Sequence, residues 1–264
     1  MPAMSAPVFR ERKKSGEKLT MLTAYDFPTA QALDSCGIDA ILVGDSCANV
    51  VMGREDTLSI TMDEILHHVR MVTRATENAL VVADMPFMSY HISKEETVRN
   101  AGRLISEGRA QAIKLEGPPS IFGETITAIL NASIPVMGHL GLTPQSINKF
   151  GGHKVQGRDP EARAALLEAA QGLDELGCFG IVLECIPPDL AVEITQSVSC
   201  PTIGIGAGPD TDGQVLVMHD ILGWGFTRFT KTFVDVKAEM EKAFTGYIEE
   251  VKAGSFPAEE HTYS

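Results

Sequence analysis

Five short apolar runs in this chain lead to residues that can bind a metal ion or move a proton. These residues are Asp45 with Ser46, Asp84, Lys114 with Glu116, His139, and Glu184. A short apolar run that leads into a polar group is typical of a buried parallel strand whose carboxyl end opens into an active site. Because the pattern recurs five times at the same end, it predicts a barrel whose strand ends converge on one pocket.

Three of these groups are acids that could form a metal site. Asp45 and Asp84 end adjacent predicted strands, which lie roughly 5 Å apart in a barrel, so the two carboxylates could share one hard cation. Glu116 ends the next strand and can complete an all-oxygen ligand set, which favours magnesium over zinc. The alternative is structural, with each acid capping the following helix or pairing with an arginine.

The remaining groups suit substrate binding and proton transfer. Lys114 and Glu116 are two residues apart on one predicted strand, so their side chains face the same way. They form either a salt bridge that closes the core or a site where the lysine neutralises a substrate carboxylate. Apolar residues precede Glu184, which suits a proton acceptor, although a buried acid bonded to the backbone is the alternative. A single histidine such as His139 is more often structural than catalytic.

The whole chain predicts the elements that would position these groups. Eight strand candidates alternate with helical patterns, which indicates a parallel sheet. Eight units in 264 residues average about 33 residues each, a length that favours a single-domain (β/α)8 TIM barrel with its active site at the C-terminal ends of the strands. The strand candidates cover 20–25, 39–44, 79–84, 111–116, 134–139, 179–184, 201–206 and 214–219. We expect a flexible N-terminal segment over 1–18, the catalytic barrel over 19–254 and a C-terminal tail over 255–264.

Two further patterns have more than one explanation. Gly204, Gly206 and Gly208 follow the seventh strand candidate, where many barrels bind phosphate, but a tight turn or close approach to a ligand explains them equally well. The final helix, predicted over 235–252, carries an apolar stripe. Packing against the core is the expected role of that stripe, and a subunit interface is the less common one.

Composition limits the partners and the compartment. The formal net charge is −13, so neither a nucleic-acid partner nor a membrane contact is expected. The five cysteines include no CxxC pair, which fits free thiols in a reducing compartment, and we expect a cytoplasmic protein. No apolar run approaches the roughly 18 residues of a transmembrane helix.

Ten motifs, in order over about 20–260, resemble the ketopantoate hydroxymethyltransferase family. They are TAYD (23–26), LVGDS (42–46), ADMPF (83–87), KLEG (114–117), GHLGLTPQS (138–146), FGG (150–152), KVQGR (154–158), LEC (183–185), IGIGAG (203–208) and VMHD (217–220). GHLGLTPQS and KVQGR are long enough to be highly specific. The stretches 118–120 and 223–230 depart from the family pattern.

The resemblance implies a TIM barrel that transfers a hydroxymethyl group from 5,10-methylenetetrahydrofolate to 3-methyl-2-oxobutanoate. The product would be 2-dehydropantoate, on the route to pantothenate and coenzyme A. The implied magnesium ligands are Asp45, Asp84 and Glu116, the implied keto-acid contacts are Asp45, Ser46, Asp84 and Lys114, and the implied proton acceptor is Glu184. His139 is a candidate auxiliary group. The resemblance also implies a homo-oligomer, usually a decamer.

Two other functions remain open from the residues alone. A magnesium-dependent 2-oxo-acid C–C lyase or mutase could use the same acids. Such enzymes commonly place a catalytic cysteine in a strand-end loop, for which Cys47 and Cys185 are candidates by position. A catalytically inactive barrel that serves as a binding or regulatory subunit is the third hypothesis.

Overall fold

Eight parallel strands close into a barrel within the part of the chain that the structure describes, residues 3–225 and 227–263 of a computed structural model. Each strand pairs with the next in chain order, and the last pairs with the first. They are β1 (Leu19–Thr23), β2 (Ala40–Val43), β3 (Leu80–Asp84), β4 (Ala112–Glu116), β5 (Val136–Gly141), β6 (Gly180–Glu184), β7 (Thr202–Ile205) and β8 (Gly213–Leu216). The predicted TIM barrel is confirmed, and every strand candidate overlaps an observed strand.

Helices follow the strands. They are α1 (Ala6–Ser15), α2 (Phe27–Ser35), α3 (Cys47–Val50), α4 (Met62–Ala75), α5 (Lys94–Ser106), α6 (Pro119–Asn131), α7 (Ile147–Phe150), α8 (Pro160–Leu176), α9 (Pro188–Ser197), α10 (Met218–Ile221) and α11 (Val236–Ala253), with 3-10 turns at Pro144–Ser146 and Glu259–His261. Local chemistry sets the helix starts. At α4, for example, Thr61 and Glu64 form a reciprocal capping box, which satisfies backbone N–H groups that the first helical turn leaves without partners.

The strands bury apolar residues on both faces. Met21, Leu42, Val82 and Met137 belong to a cluster inside the barrel. Alternate residues such as Ile41 belong to a second cluster that the helices share. Because successive side chains point to opposite faces, such strands read as continuous apolar runs rather than as alternating ones.

The N-terminal segment differs from the expectation of a flexible segment over 1–18. Residues 6–15 form helix α1, and Phe9 is fully buried in the cluster inside the barrel. Its ring meets that of Phe179 edge to face, with 5.6 Å between ring centroids. Lys13 Nζ lies 2.8 Å from Asp212 Oδ2. Phe9 and Lys13 therefore anchor this stretch.

The chain divides into two compact units, Met1–Val217 with the barrel and Met218–Ser264 with α10 and α11. The expected catalytic-domain limits of 19–254 differ from this division. Helix α11 confirms the predicted final helix, and none of its residues is buried in the described structure. The expected packing of its stripe against the core stays a prediction. Phe226, in the unusual stretch 223–230, lies outside the described residues. In the described parts of the chain, no helix is long and apolar enough to cross a membrane.

We expect Phe9→Ala to lower the free energy of unfolding by about 3–5 kcal/mol, because it removes a fully buried ring and leaves a cavity. Urea unfolding followed by circular dichroism measures this change. Val8→Ala is the matched control, since Val8 is 37% exposed and its loss should cost less than about 0.5 kcal/mol. Equal effects of the two substitutions would mean that α1 is not anchored by Phe9.

Candidate active site

The centre of the site is the ammonium group of Lys114, on β4. Its Nζ lies 2.8 Å from Asp84 Oδ1, 3.9 Å from Glu116 Oε1 and 3.3 Å from His139 Nδ1. All four side chains are buried. Strand register explains the meeting, because Asp84 pairs with Lys114 and Glu116 pairs with His139 across neighbouring strands, and side chains at paired positions face the same side of a sheet.

His139, on β5, connects the buried acids to the proposed proton acceptor. Its Nδ1 lies 3.4 Å from Glu116 Oε1, and its Nε2 lies 3.2 Å from Glu184 Oε2. Burial and the charge of Lys114 act to lower the pKa of His139. Its hydrogen bonds to Glu116 and Glu184 outweigh them and raise the pKa to about 9. The imidazole is therefore protonated at neutral pH and lies at ion-pair distance from a carboxylate on each side.

Asp45 joins the network just beyond the end of β2. Its backbone N–H donates to Asp84 Oδ2 at 3.2 Å. Burial, together with the charges of Asp84 and Glu116, raises the pKa of Asp45 well above its ordinary value. Burial also raises the pKa of Asp84, against the effect of Lys114. The pKa of Glu116 is lowered despite burial, because His139 and Lys114 stabilise its charged form.

The raised pKa values of Asp45 and Asp84, caused first by burial, show that the charged forms of these acids are destabilised at this point. Burial acts against the charged form of Lys114 as well, but the charges of Asp84, Glu116 and Asp45 hold its pKa above the ordinary value. Lys114 is thus a fixed cation and not a nucleophilic amine. Additional positive charge at this point would relieve the repulsion among the acids.

The acids fit a hard divalent cation by their chemistry. Asp84 Oδ1 and Glu116 Oε1 are buried and lack an aligned hydrogen-bond donor in the described structure, although Lys114 and His139 lie at ion-pair distance. Carboxylate oxygens of this kind are the ligands that Mg2+ prefers. The other oxygen of Asp84 and of Glu116, and Oδ2 of Asp45, each accept a hydrogen bond from the protein. Within residues 3–225 and 227–263, no three His, Cys, Asp or Glu side chains meet in a metal-binding arrangement. Metal ligation by Asp45, Asp84 and Glu116 therefore stays a prediction.

Ser46 and Glu184 lie at the edge of this network. Ser46 is half-buried at the start of α3, where its Oγ lies 2.8 Å from the hydroxyl of Tyr25. Glu184 is also half-buried, at the end of β6. Its backbone oxygen accepts a hydrogen bond from Leu142 at 2.8 Å. This approach requires glycine at position 141, where φ is +95° and an added Cβ would lie 2.2 Å from that oxygen.

Two residues that the sequence analysis assigned no role complete the site. Gln145 and Tyr90 are both buried, and they hydrogen-bond to each other at 2.7 Å. Gln145 also contacts Asp45 and Glu116. Gln145 lies in the GHLGLTPQS motif, just beyond the end of β5. Its place in that highly specific motif was the sequence signal that could have pointed to a role in the site. A neutral amide and a tyrosine do not stand out as catalytic groups, so this signal pointed to no role.

The glycine-rich stretch after β7 is explained by packing. An added Cβ at Gly204 would lie 2.7 Å from Thr211 Oγ1, and one at Gly208 would lie 2.8 Å from the Cβ of Pro188. Gly206 and Gly208 both have positive φ angles. Of the explanations left open, a tight turn with close packing accounts for these glycines without a ligand.

A family model described as ketopantoate hydroxymethyltransferase matches residues 3–259. The chain belongs to this family. A 3-methyl-2-oxobutanoate hydroxymethyltransferase of Enterococcus faecalis is 56% identical over 262 residues, covering 98% of this chain and 95% of that protein. A protein of the same name from Clostridioides difficile is 50% identical over 259 residues, covering 97% and 94%. The chain is therefore an enzyme of the ketopantoate hydroxymethyltransferase family, as its motifs predicted.

Solved structures show the same fold at low identity. A phosphonopyruvate hydrolase in complex with oxalate and Mg2+ has a TM-score of 0.64 and 14% identity, covering 99% of this chain and 92% of that one. A 2,3-dimethylmalate lyase of the PEP mutase/isocitrate lyase superfamily has a TM-score of 0.60 and 15% identity, with the same coverage. These similarities support the barrel of this hydroxymethyltransferase family member and nothing more specific.

We expect the stability of the metal-free protein to depend on pH through His139. Its pKa rises from 6.5 to about 9 on folding, so the folded state holds the proton more tightly than the unfolded state. The resulting stabilisation is complete below pH 6.5 and is lost as the pH rises through about 9. Urea unfolding in the presence of a chelator measures this. His139→Gln should show a shallower decline across that window, and parallel curves for the two proteins would contradict the assignment.

Proposed function

We propose that this enzyme transfers a hydroxymethyl group from 5,10-methylenetetrahydrofolate to 3-methyl-2-oxobutanoate, giving 2-dehydropantoate for pantothenate and coenzyme A synthesis. The observation that carries the proposal is one buried network. It joins the acids, the lysine and the proposed proton acceptor. Relatives named 3-methyl-2-oxobutanoate hydroxymethyltransferase are 50–56% identical to this chain over nearly its full length.

The keto acid would bind with its carboxylate toward Lys114 and Ser46. Lys114 is buried and held by ion pairs, so its charge is already in place when an anion arrives, and no solvent reorganisation is needed. The Ser46 hydroxyl can donate to a carboxylate oxygen while accepting from Tyr25, whose oxygen lies 2.8 Å away.

Asp45, Asp84 and Glu116 would hold Mg2+, which when bound supplies a Lewis acid that stabilises negative charge on the keto oxygen of the substrate. The support is the all-carboxylate donor set and the two buried oxygens without aligned donors. The raised pKa of Asp45, caused by burial and by the neighbouring acids, indicates that additional positive charge is favoured at this point.

Glu184 would take the proton from C3 of the keto acid. The C3–H bond breaks, the proton passes to the Glu184 carboxylate, and the electron pair is available to attack the methylene carbon carried by folate. Water supplies the hydroxyl oxygen of the product as both carbon–nitrogen bonds between the methylene carbon and folate break. The proton taken from C3 and one proton of that water go to the two folate nitrogens, and tetrahydrofolate leaves. His139 lies 3.2 Å from Glu184 Oε2 and is protonated below pH of about 9 because the pKa of His139 is raised, so it orients the Glu184 side chain.

The lyase or mutase hypothesis receives less support from the cysteines. Burial raises the pKa of Cys47 to about 12 and that of Cys185 to about 11. Both thiols are therefore protonated at neutral pH, whereas cysteine catalysis uses a thiolate. An inactive barrel is also disfavoured, because three buried acids around one lysine are costly to keep without a use.

We also propose a homo-oligomer, a decamer as the resemblance implies, and a cytoplasmic location. The support for assembly is the exposed apolar stripe of α11, which includes Phe244 (57% exposed) and Tyr247 (60% exposed), because large exposed apolar patches commonly mark interfaces. Light scattering tests the decamer, and a mass equal to that of one 28.4 kDa chain would contradict it.

We expect formation of 2-dehydropantoate to require the keto acid, the folate and Mg2+ together. Product is measured by mass spectrometry, with each component omitted in turn as the control. Omission of Mg2+ should abolish product formation, because the negative charge of the three acids is then not offset by a bound cation. Equal turnover with formaldehyde and no tetrahydrofolate would contradict the proposed transfer.

Glu184→Gln should bind Mg2+ and the keto acid but exchange the C3 proton with deuterated water at least about 100-fold more slowly, because the amide cannot accept the proton. Nuclear magnetic resonance measures the exchange, and calorimetry measures the binding. Asp84→Asn is the contrasting variant, which should lose Mg2+-dependent binding of the keto acid. Normal exchange by Glu184→Gln would remove Glu184 as the base.

A further inference from the structure

Gln145 reaches two of the three proposed metal ligands at once. It lies in the 3-10 turn Pro144–Ser146, just beyond β5, and is only 5% exposed. Its side-chain Nε2 donates to Asp45 Oδ2 at 2.9 Å, and its backbone N–H donates to Glu116 Oε2 at 3.0 Å. The backbone bond uses an N–H group that the start of a helical turn leaves without an internal partner. One residue therefore bonds both Asp45, just beyond the end of β2, and Glu116, at the end of β4.

The orientation of the Gln145 amide is fixed by its neighbours. Nε2 also donates to the backbone oxygen of Met85 at 3.0 Å, and a carbonyl oxygen can only accept, so this atom must be the amide nitrogen. Both of its N–H groups are used. Its Oε1 is left to accept, and the hydroxyl of Tyr90 donates to it at 2.7 Å.

Tyr90 extends the chain of hydrogen bonds back to β4. The backbone N–H of Glu116 donates to the Tyr90 oxygen at 3.3 Å. The Tyr90 hydroxyl has two acceptors, Gln145 Oε1 at 2.7 Å and the backbone oxygen of Glu116 at 3.3 Å, and the shorter contact favours donation to Gln145. The bonds run in one direction, from Glu116 to Tyr90 to Gln145 to Asp45. Such a polar chain is mutually supporting when every member is satisfied.

We propose that Gln145, oriented by Tyr90, is a positioning residue that holds the carboxylates of Asp45 and Glu116 in the separation and rotation needed to bind Mg2+ and the keto acid. This inference deepens the proposed function and rests on it. Gln145 bonds only one oxygen of each acid, Asp45 Oδ2 and Glu116 Oε2. The repulsion among the acids would otherwise turn them apart.

The first test compares Gln145→Met with Gln171→Met, a matched change at an exposed position on α8. Methionine has about the length of glutamine but cannot donate to Asp45. We expect Mg2+ affinity, measured by calorimetry without substrate, to fall about 10- to 100-fold for Gln145→Met, as for other residues that orient metal ligands, and to be unchanged for Gln171→Met. Unchanged affinity in folded Gln145→Met would overturn the proposal and leave the residue a purely structural one.

The second test is a double-mutant cycle with Tyr90→Phe, which removes one oxygen and keeps the ring. Tyr90→Phe should weaken Mg2+ binding on its own, because the amide loses the donor that orients it. In the Gln145→Met background the same change should alter the affinity by less than about twofold, since the two residues act through one chain. A full effect in both backgrounds would mean that Tyr90 acts on Glu116 directly and would overturn the chain. If Gln145→Met does not fold, unchanged affinity in Tyr90→Phe alone overturns it.

Steady-state kinetics separate this proposal from the proposed function. Gln145→Met should lower kcat/KM for the keto acid and leave KM for the folate unchanged, because the two acids that Gln145 bonds are proposed to hold Mg2+ and the keto acid. Normal Mg2+ binding by the unmodified enzyme, together with no hydroxymethyl transfer, would overturn the proposed function and not the positioning role. If the unmodified enzyme does not bind Mg2+, both the proposed metal site and the positioning role of Gln145 are overturned.

Discussion

The site depends on one buried cation surrounded by acids. Lys114 lies 2.8 Å from Asp84 Oδ1 and 3.9 Å from Glu116 Oε1 inside a barrel filled by apolar side chains. Charges in such surroundings interact much more strongly than they do in water. The lysine makes the burial of the acids tolerable, but one positive charge does not balance three carboxylates. The raised pKa of Asp45, caused first by burial and then by the charges of Asp84 and Glu116, reflects both effects.

His139 and Gln145 respond to the same imbalance in different ways. His139 adds a second positive charge, which is shared between Glu116 and Glu184. Gln145 adds no charge but directs neutral donors at Asp45 and Glu116. Both come from β5 or the turn that follows it, so one strand stabilises the acids on β2 and β4 and also connects them to the end of β6.

The sequence predicted the barrel and the meeting of the strand-end groups because both follow from short-range rules. Apolar runs give buried strands, and the carboxyl ends of parallel strands meet at one end of a barrel. The role of Gln145 could not be read in this way, because it depends on where Tyr90, Met85 and Asp45 lie relative to one another. Helix α1 was missed for a related reason. The sequence predicted a flexible segment over 1–18, and only the fold shows that Phe9 packs in the cluster inside the barrel and that Lys13 meets Asp212.

Helix α1 also constrains the order in which the protein can be made. Arg10 donates to the backbone oxygen of Cys178, 168 residues later, and Lys13 pairs with Asp212, 199 residues later. Helix α1 therefore cannot complete these contacts until the chain has been synthesised as far as Asp212. Contacts so distant in sequence are slow to form, and domains generally fold as units during synthesis. Until then the nascent chain must keep Phe9 and the strand edges from premature association.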